Sequence, residues 1–201
     1  MTHIISHRVN RIVDLVNTPT SLGVEVDLRD HAGKIVLEHD PFNYNRADDF
    51  ADYLREYKHG TLILNIKSER IEFQVLRLLA QFGITDYFFL DSSFPMIVSM
   101  VNKGESNIAV RFSEFEGLEN IRKMRGKVRW VWVDCFSRLP IDKNSYNEIK
   151  ELGLKLCLVS PELQGREEDI IPYRDYLAKE SIIFDAICCK EKNFRVWQTY
   201  G

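Results

Sequence analysis

The sequence predicts an α/β protein, a (β/α)8 barrel of the TIM type near the minimal length for that fold. Three observations lead there. Eight short runs rich in Val, Ile, Phe and Trp recur along the 201 residues, as strands require. Helix-period stretches lie between them, the alternation that gives parallel strands joined by right-handed crossovers. Polar side chains collect at one end of nearly every run, and barrels carry their chemistry at the C-terminal strand ends. An open doubly wound sheet is the other arrangement of such units. It normally opens with a Gly-rich first turn, whereas HRVNR follows the first run here. A single domain over residues 1–201 is expected.

The runs are HIISH (3–7), GVEVDLR (23–29), TLILNIK (61–67), DYFFLD (86–91), NIAVRFSE (107–114), KVRWVWVDCF (127–136), LKLCLVS (154–160) and FDAICC (184–189). The second continues as VDLRDHAGKIVLEHD, which reads as a strand running out, turning near His31-Ala32-Gly33 and returning as KIVLEH. A helix is predicted over 46–57, where Phe50, Tyr53, Leu54 and Tyr57 share one face. A second covers 69–82, with Ile71, Val75, Leu78, Leu79 and Phe82 periodic and Gly83 as its stop. A third covers 142–152 and ends at Gly153; a fourth, over 169–179, is interrupted by Pro172. The segments after the first, fourth and fifth runs are short, with room for one or two helical turns.

Composition narrows the possible functions. Hydrophobic residues make up 45% and charged residues 28%, which is globular composition rather than disorder or coiled coil. A net charge of −3 leaves no basic excess for a nucleic-acid backbone, so no nucleic-acid partner is expected. Cys135, Cys157, Cys188 and Cys189 lack zinc-knuckle or redox spacing and read as buried free thiols of a reducing compartment. MTHIISHRVNR lacks the apolar core of a signal peptide, and no run has the length of a transmembrane segment. A cytoplasmic protein is expected.

The polar residues at the strand ends form a pattern. His7 and Arg8 end the first run; Glu25 and Asp27 lie two apart on one face of the second; Asn65 and Lys67 share a face of the third. Asp91 ends the fourth, Arg111 and Ser113 lie in the fifth, Asp134 in the sixth and Ser160 ends the seventh. Carboxylates inside the apolar run GVEVDLR need a cationic partner or a metal. Either is open: an ion pair with Arg8 or Lys67, or a bound cation. The hairpin brings His39 back toward Glu25, so His7, Glu25, Asp27 and His39 can converge. Arg111 and Asp134 either line the site or pair with each other. Trp130 and Trp132 share a face, as core or as a stacking wall for a substrate, with Trp132 the candidate contact. His31 falls in the turn, and neither His3 nor His59 has an evident partner. Ser160-Pro161-Glu162, with Gln164-Gly165, shapes substrate entry or forms an ordinary loop.

His7-Arg8, then G-V-E-V-D, then an out-and-back segment ending in His39-Asp40, resembles the glycerophosphodiester phosphodiesterases, within the wider group of phosphatidylinositol-phospholipase-C-like barrels. LILNIK matches in position and hydrophobicity, and DSSFP is similar to the family's Ser-Phe segment. Beyond residue 100 the strand–helix rhythm carries the likeness. The resemblance implies a phosphoric diester hydrolase of a glycerophosphodiester-like small molecule or phospholipid head group. It implies Mg²⁺ or Ca²⁺ on Glu25 and Asp27, acid–base roles for His7 and His39, and phosphate contacts from Arg8 and Lys67. Hard cations take oxygen ligands, and imidazoles exchange protons near neutral pH.

Two departures stand out. Val9 replaces the glycine of the family's His-Arg-Gly. Asn65 stands where the resemblance calls for a third metal carboxylate, with Asp91, or Glu69, as the nearest acidic substitute. An amide oxygen can coordinate a cation but brings no charge. The alternative function is a catalytically degenerate barrel that keeps a phosphate or sugar-phosphate pocket as a binding module.

Overall fold

The computed structural model describes residues 2–200 and forms two compact units. One is Ser6–Gly104; the other joins the residues up to Ile5 with those from Glu105 onward. The chain opens with β1 (His3–Ser6) and α1 (Ile12–Asn17).

The Ser6–Gly104 unit holds β2 (Gly23–His31), β3 (Lys34–Leu37), β4 (Asp48–Asp49), β5 (Leu62–Ile66) and β6 (Tyr87–Leu90), in the order β4-β3-β2-β5-β6. β2, β5 and β6 run parallel; β3 and β4 are antiparallel additions. The expected hairpin is present. His31 pairs with Lys34, and the two-residue loop has positive φ at both Ala32 (50°) and Gly33 (79°). That is the geometry whose twist matches paired strands. β2 is buried on both faces as far as Leu28, which puts Glu25 and Asp27 in the interior.

Helix starts are later than periodicity predicts. α2 (Phe50–Glu56) begins at Phe50 rather than at 46, because Asp48–Asp49 pair with Val36–Leu37 as β4. Asp49 then caps the helix by accepting the Ala51 N–H. α3 (Glu72–Phe82) begins at Glu72 rather than at 69, because Arg70 has a left-handed backbone (φ 71°) that no helix turn accommodates. It ends as predicted at Gly83, left-handed at φ 68°. α2 packs on α1, α3 and β3. α4 (Phe94–Asn102) has nine residues and is longer than expected after this strand.

In the other unit β7 (Ala109–Phe112), β8 (Trp130–Val133), β9 (Lys155–Val159) and β10 (Ala186–Cys189) form a parallel sheet, with β1 beside β10. β7 is shorter than the run 107–114, because Ser113 and Glu116 exchange backbone hydrogen bonds and close a turn. β8 is likewise the centre of 127–136: Lys127 and Val128 donate back to the Met124 carbonyl and finish the preceding turn. α5 is Leu118–Lys123, and α6 (Lys143–Glu151) starts from an Asp142–Ser145 capping box. α7 (Ile170–Lys179) is not interrupted by Pro172, which lies in its first turn where the missing N–H has no helical partner to lose. α8 (Phe194–Gln198) closes the chain.

Candidate active site

The site in the Ser6–Gly104 unit is built on β2. Successive inward residues of one face are Glu25, Asp27 and Arg29. Glu25 and Asp27 are each 1% exposed. Arg8, which follows β1, has a left-handed backbone (φ 55°), and its N–H donates to Glu25 Oε2 at 2.8 Å. Val9 N–H donates to the Glu25 carbonyl at 2.8 Å, which fastens the turn to β2. His7 Nε2 stands 3.9 Å from Glu25 Oε2, and Arg8 Nε 3.5 Å from Asp27 Oδ2. Asn10 grips Asp27 twice: Nδ2 donates to Oδ2 and Oδ1 accepts the backbone N–H, both at 2.8 Å.

β5 supplies the other wall. Asn65 is the register partner of Asp27, and its Nδ2 donates to Glu25 Oε1 at 2.8 Å. Lys67 Nζ lies 3.7 Å from Asp27 Oδ1 and 3.3 Å from Asp91 Oδ2. Asp91, left-handed at φ 59°, joins the cluster through Lys67. Burial first, and then the neighbouring Asp27, push the Glu25 carboxyl up to about 7, against the Asn65 amide, the Arg8 N–H and Lys67. Glu25 therefore keeps its proton more readily than an exposed glutamate.

His39 sits past the end of β3. Its Nδ1 is 2.8 Å from Asp40 Oδ1, and this hydrogen bond holds the Asp40 carboxyl below its ordinary range. With Nδ1 engaged, Nε2 remains for other work. Arg29 joins this segment to β5, donating to the His39 carbonyl from Nε (3.1 Å) and Nη2 (2.8 Å) and to the Lys67 carbonyl from Nη1 (2.9 Å).

The sequence reading missed Asn10, Arg29, and Asp40 as a partner of His39. It also missed Asp48, which accepts from Arg11 Nε and Ile12 N–H. Arg29 extends the 25-27 row and was legible as a same-face neighbour; Asn10 gave no periodic signal. His59, for which no partner was evident, hydrogen-bonds the Thr18 carbonyl through Nε2 at 2.9 Å. His31 stacks on Tyr44 with ring centroids 4.3 Å apart.

The residues of the other unit form a cluster of their own. Arg111 donates to Asp134 and lies 3.5 Å from Glu116. Asp134 also accepts from Gln164 Nε2 at 2.8 Å and from the Cys135 N–H at 2.9 Å. Trp132 is the register partner of Arg111 and is buried with the core, as is Trp130. Ser160 and Glu162 are buried, and Ser160 Oγ accepts the Trp197 indole N–H at 2.7 Å, so this stretch anchors α8. All four cysteines are buried, and none is in a disulfide among the described residues.

Among the described residues, no group of three His, Cys, Asp or Glu side chains comes together to hold a metal ion. The donor set at Glu25, Asp27 and Asn65 nevertheless suits one hard cation. Asp27 Oδ1 and Asn65 Oδ1 are both buried without a hydrogen bond, and they belong to register partners on adjacent strands. Buried oxygens without a hydrogen bond, with Lys67 Nζ 3.7 Å from Asp27 Oδ1, are a place where further positive charge is favoured.

No protein-family model and no curated protein matches the chain. Solved structures do. The crystal structure of a glycerophosphodiester phosphodiesterase from Agrobacterium tumefaciens matches with a TM-score of 0.66 at 14% identity, over 94% of this chain and 96% of that one. Another chain of that organism, described as a glycerophosphoryl diester phosphodiesterase, gives 0.67 at 12% identity over 94% and 93%. The fold is shared with glycerophosphodiester phosphodiesterases. The resemblance read from the start of the sequence therefore extends, as fold, over nearly the whole chain. On that glycerophosphodiester phosphodiesterase fold, the cluster around Glu25 and Asp27 is described by this chain's own side chains.

Proposed function

We propose that the protein is a phosphoric diester hydrolase of the glycerophosphodiester phosphodiesterase type, acting on a glycerophosphodiester-like small molecule or a phospholipid head group. The observation that carries this reading is the buried Glu25–Asp27 pair, flanked by His7, Arg8 and Lys67, on a fold shared with such enzymes. On this reading the eight parallel strands close as a (β/α)8 barrel. Buried thiols outside any disulfide among the described residues suit the cytoplasm, and the net charge of −3 argues against a nucleic-acid substrate.

Glu25, Asp27 and the Asn65 amide oxygen would hold Mg²⁺ or Ca²⁺, with Asp91 close by through Lys67. Such a cation, when bound, neutralises charge on phosphoryl oxygens. Arg8 and Lys67 contact the phosphate. Water, or a hydroxyl of the substrate, attacks phosphorus, and the alcohol leaves. His39, with Nδ1 held by Asp40, presents Nε2 to take a proton, while His7 gives one to the departing oxygen.

One observation favours a second reading, a binding module without turnover. Asn65 brings no charge to the third ligand position and spends its N–H on Glu25. A panel of phosphodiesters assayed with Mg²⁺, Ca²⁺ and Mn²⁺ separates the two. Hydrolysis that stops on chelation is expected, with His7→Ala and His39→Ala each slower by ~10²–10⁴-fold in a folded protein. Phosphate binding with no turnover on any diester would select the binding module.

A further inference from the structure

Among the described residues, each hydrogen bond of the Arg29 guanidinium falls on the backbone carbonyl of a candidate site residue. Two N–H groups grip the His39 carbonyl at 3.1 and 2.8 Å, and a third reaches the Lys67 carbonyl at 2.9 Å. These residues are far apart in sequence and leave the sheet from different strands. The last backbone ties before them are Glu38 N–H to the Asp27 carbonyl (3.1 Å) and Lys67 N–H to the Leu28 carbonyl (2.9 Å). Beyond those ties the attachment to β2 runs through side chains: the Asp30 N–H donates to Ser68 Oγ at 3.3 Å, and Arg29 holds the His39 and Lys67 carbonyls. A rigid planar fork presents its donors to two carbonyls in a fixed, spread geometry, whereas an ammonium gathers its three donors on one nitrogen. All three bonds are charge-assisted and partly buried, the stronger kind.

We propose that Arg29 is a positioning residue that sets His39 and Lys67 relative to each other, so that proton carrier and phosphate contact arrive as one assembly. This rests on the reading of His39 and Lys67 given above. Asp40 follows His39 directly, so fixing the His39 backbone also fixes the frame in which Nδ1 meets its carboxylate.

Hydrogen exchange on the full chain tests the proposal without reference to turnover. In Arg29→Met the Glu38 and Lys67 amides are expected to exchange ~10- to 100-fold faster, while Val26 and Leu64 keep their protection. If that variant folds poorly, Arg29→Lys serves: one ammonium reaches one carbonyl, so one of the two amides loses protection. Full protection at both amides in either folded variant, or a uniform rise across the unit, overturns the proposal. Activity supplies a second readout, with bis(p-nitrophenyl) phosphate as the probe. Arg29→Met is expected to lower kcat/KM by about tenfold or more, and the loss should vanish in a His39→Ala/Lys67→Ala background. A loss that persists undiminished there means that Arg29 acts otherwise. A wild type without turnover counts against the proposed hydrolase, and the exchange data then decide the role of Arg29 alone.

Discussion

Glu25 sits under opposing demands. Burial and Asp27 raise its carboxyl to about 7 in the folded protein, whereas an unfolded glutamate titrates near ~4.3. The folded state therefore holds this proton more tightly. The resulting stabilisation is complete below the unfolded value and is lost as pH rises through about 7, on the order of 3 kcal/mol. Thermal melts of metal-free protein should show this loss, and Glu25→Gln should remove that part of the pH dependence; an identical profile in the variant would place the charge cost elsewhere. A divalent cation should recover the same stability at the alkaline end. Asn65→Glu sharpens the point. A third carboxylate beside Glu25 is expected to lower the melting temperature without metal and to enlarge the rise on adding Mg²⁺ or Ca²⁺. An unchanged metal response would mean that Lys67 neutralises the new group. At this scale the sequence revealed the acids, the two histidines and Lys67, because E-x-D in an apolar run has few explanations. Asn10 and Arg29 escaped, since their partners lie 17, 10 and 38 positions away and leave no local trace.

Elements were legible where periodicity was long, and their edges were not. Each of the eight β-type runs contains a strand, and the hairpin turns where Ala32-Gly33 suggested. Edges moved for reasons outside periodicity: a two-residue strand pairing claimed Asp48–Asp49, and a left-handed residue at Arg70 delayed α3. The hairpin also contains an avoidable cost. Its first loop position needs positive φ, which alanine tolerates poorly and asparagine adopts readily. Ala32→Asn is expected to raise stability by about 0.5–1 kcal/mol in denaturant melts. His39 lies just beyond β3, so the same change should leave phosphodiesterase rates untouched; a loss of rate would tie the loop to the site.

For the molecule as a whole, the α/β alternation was readable throughout and the chemistry mainly at its beginning. In the sequence, Arg111 and Asp134 read equally as site residues or as partners of each other. The structure pairs them, with Gln164 and the Cys135 N–H completing the Asp134 shell. Long-range partner choice of this kind depends on where two strands end, which one-dimensional spacing does not encode. The left-handed backbones of Arg8 and Asp91 have a consequence for the evolvability of the chain. Each non-glycine residue held there costs of order 1 kcal/mol, and each also carries a charge toward the cluster around Asp27. A thermostability screen blind to function should therefore enrich Arg8→Gly and Asp91→Gly or Asp91→Asn, and a screen for phosphate binding should purge Arg8→Gly. Selection for robustness and selection for activity pull these two positions in opposite directions, so their occupants in a diverged library would report which pressure had acted.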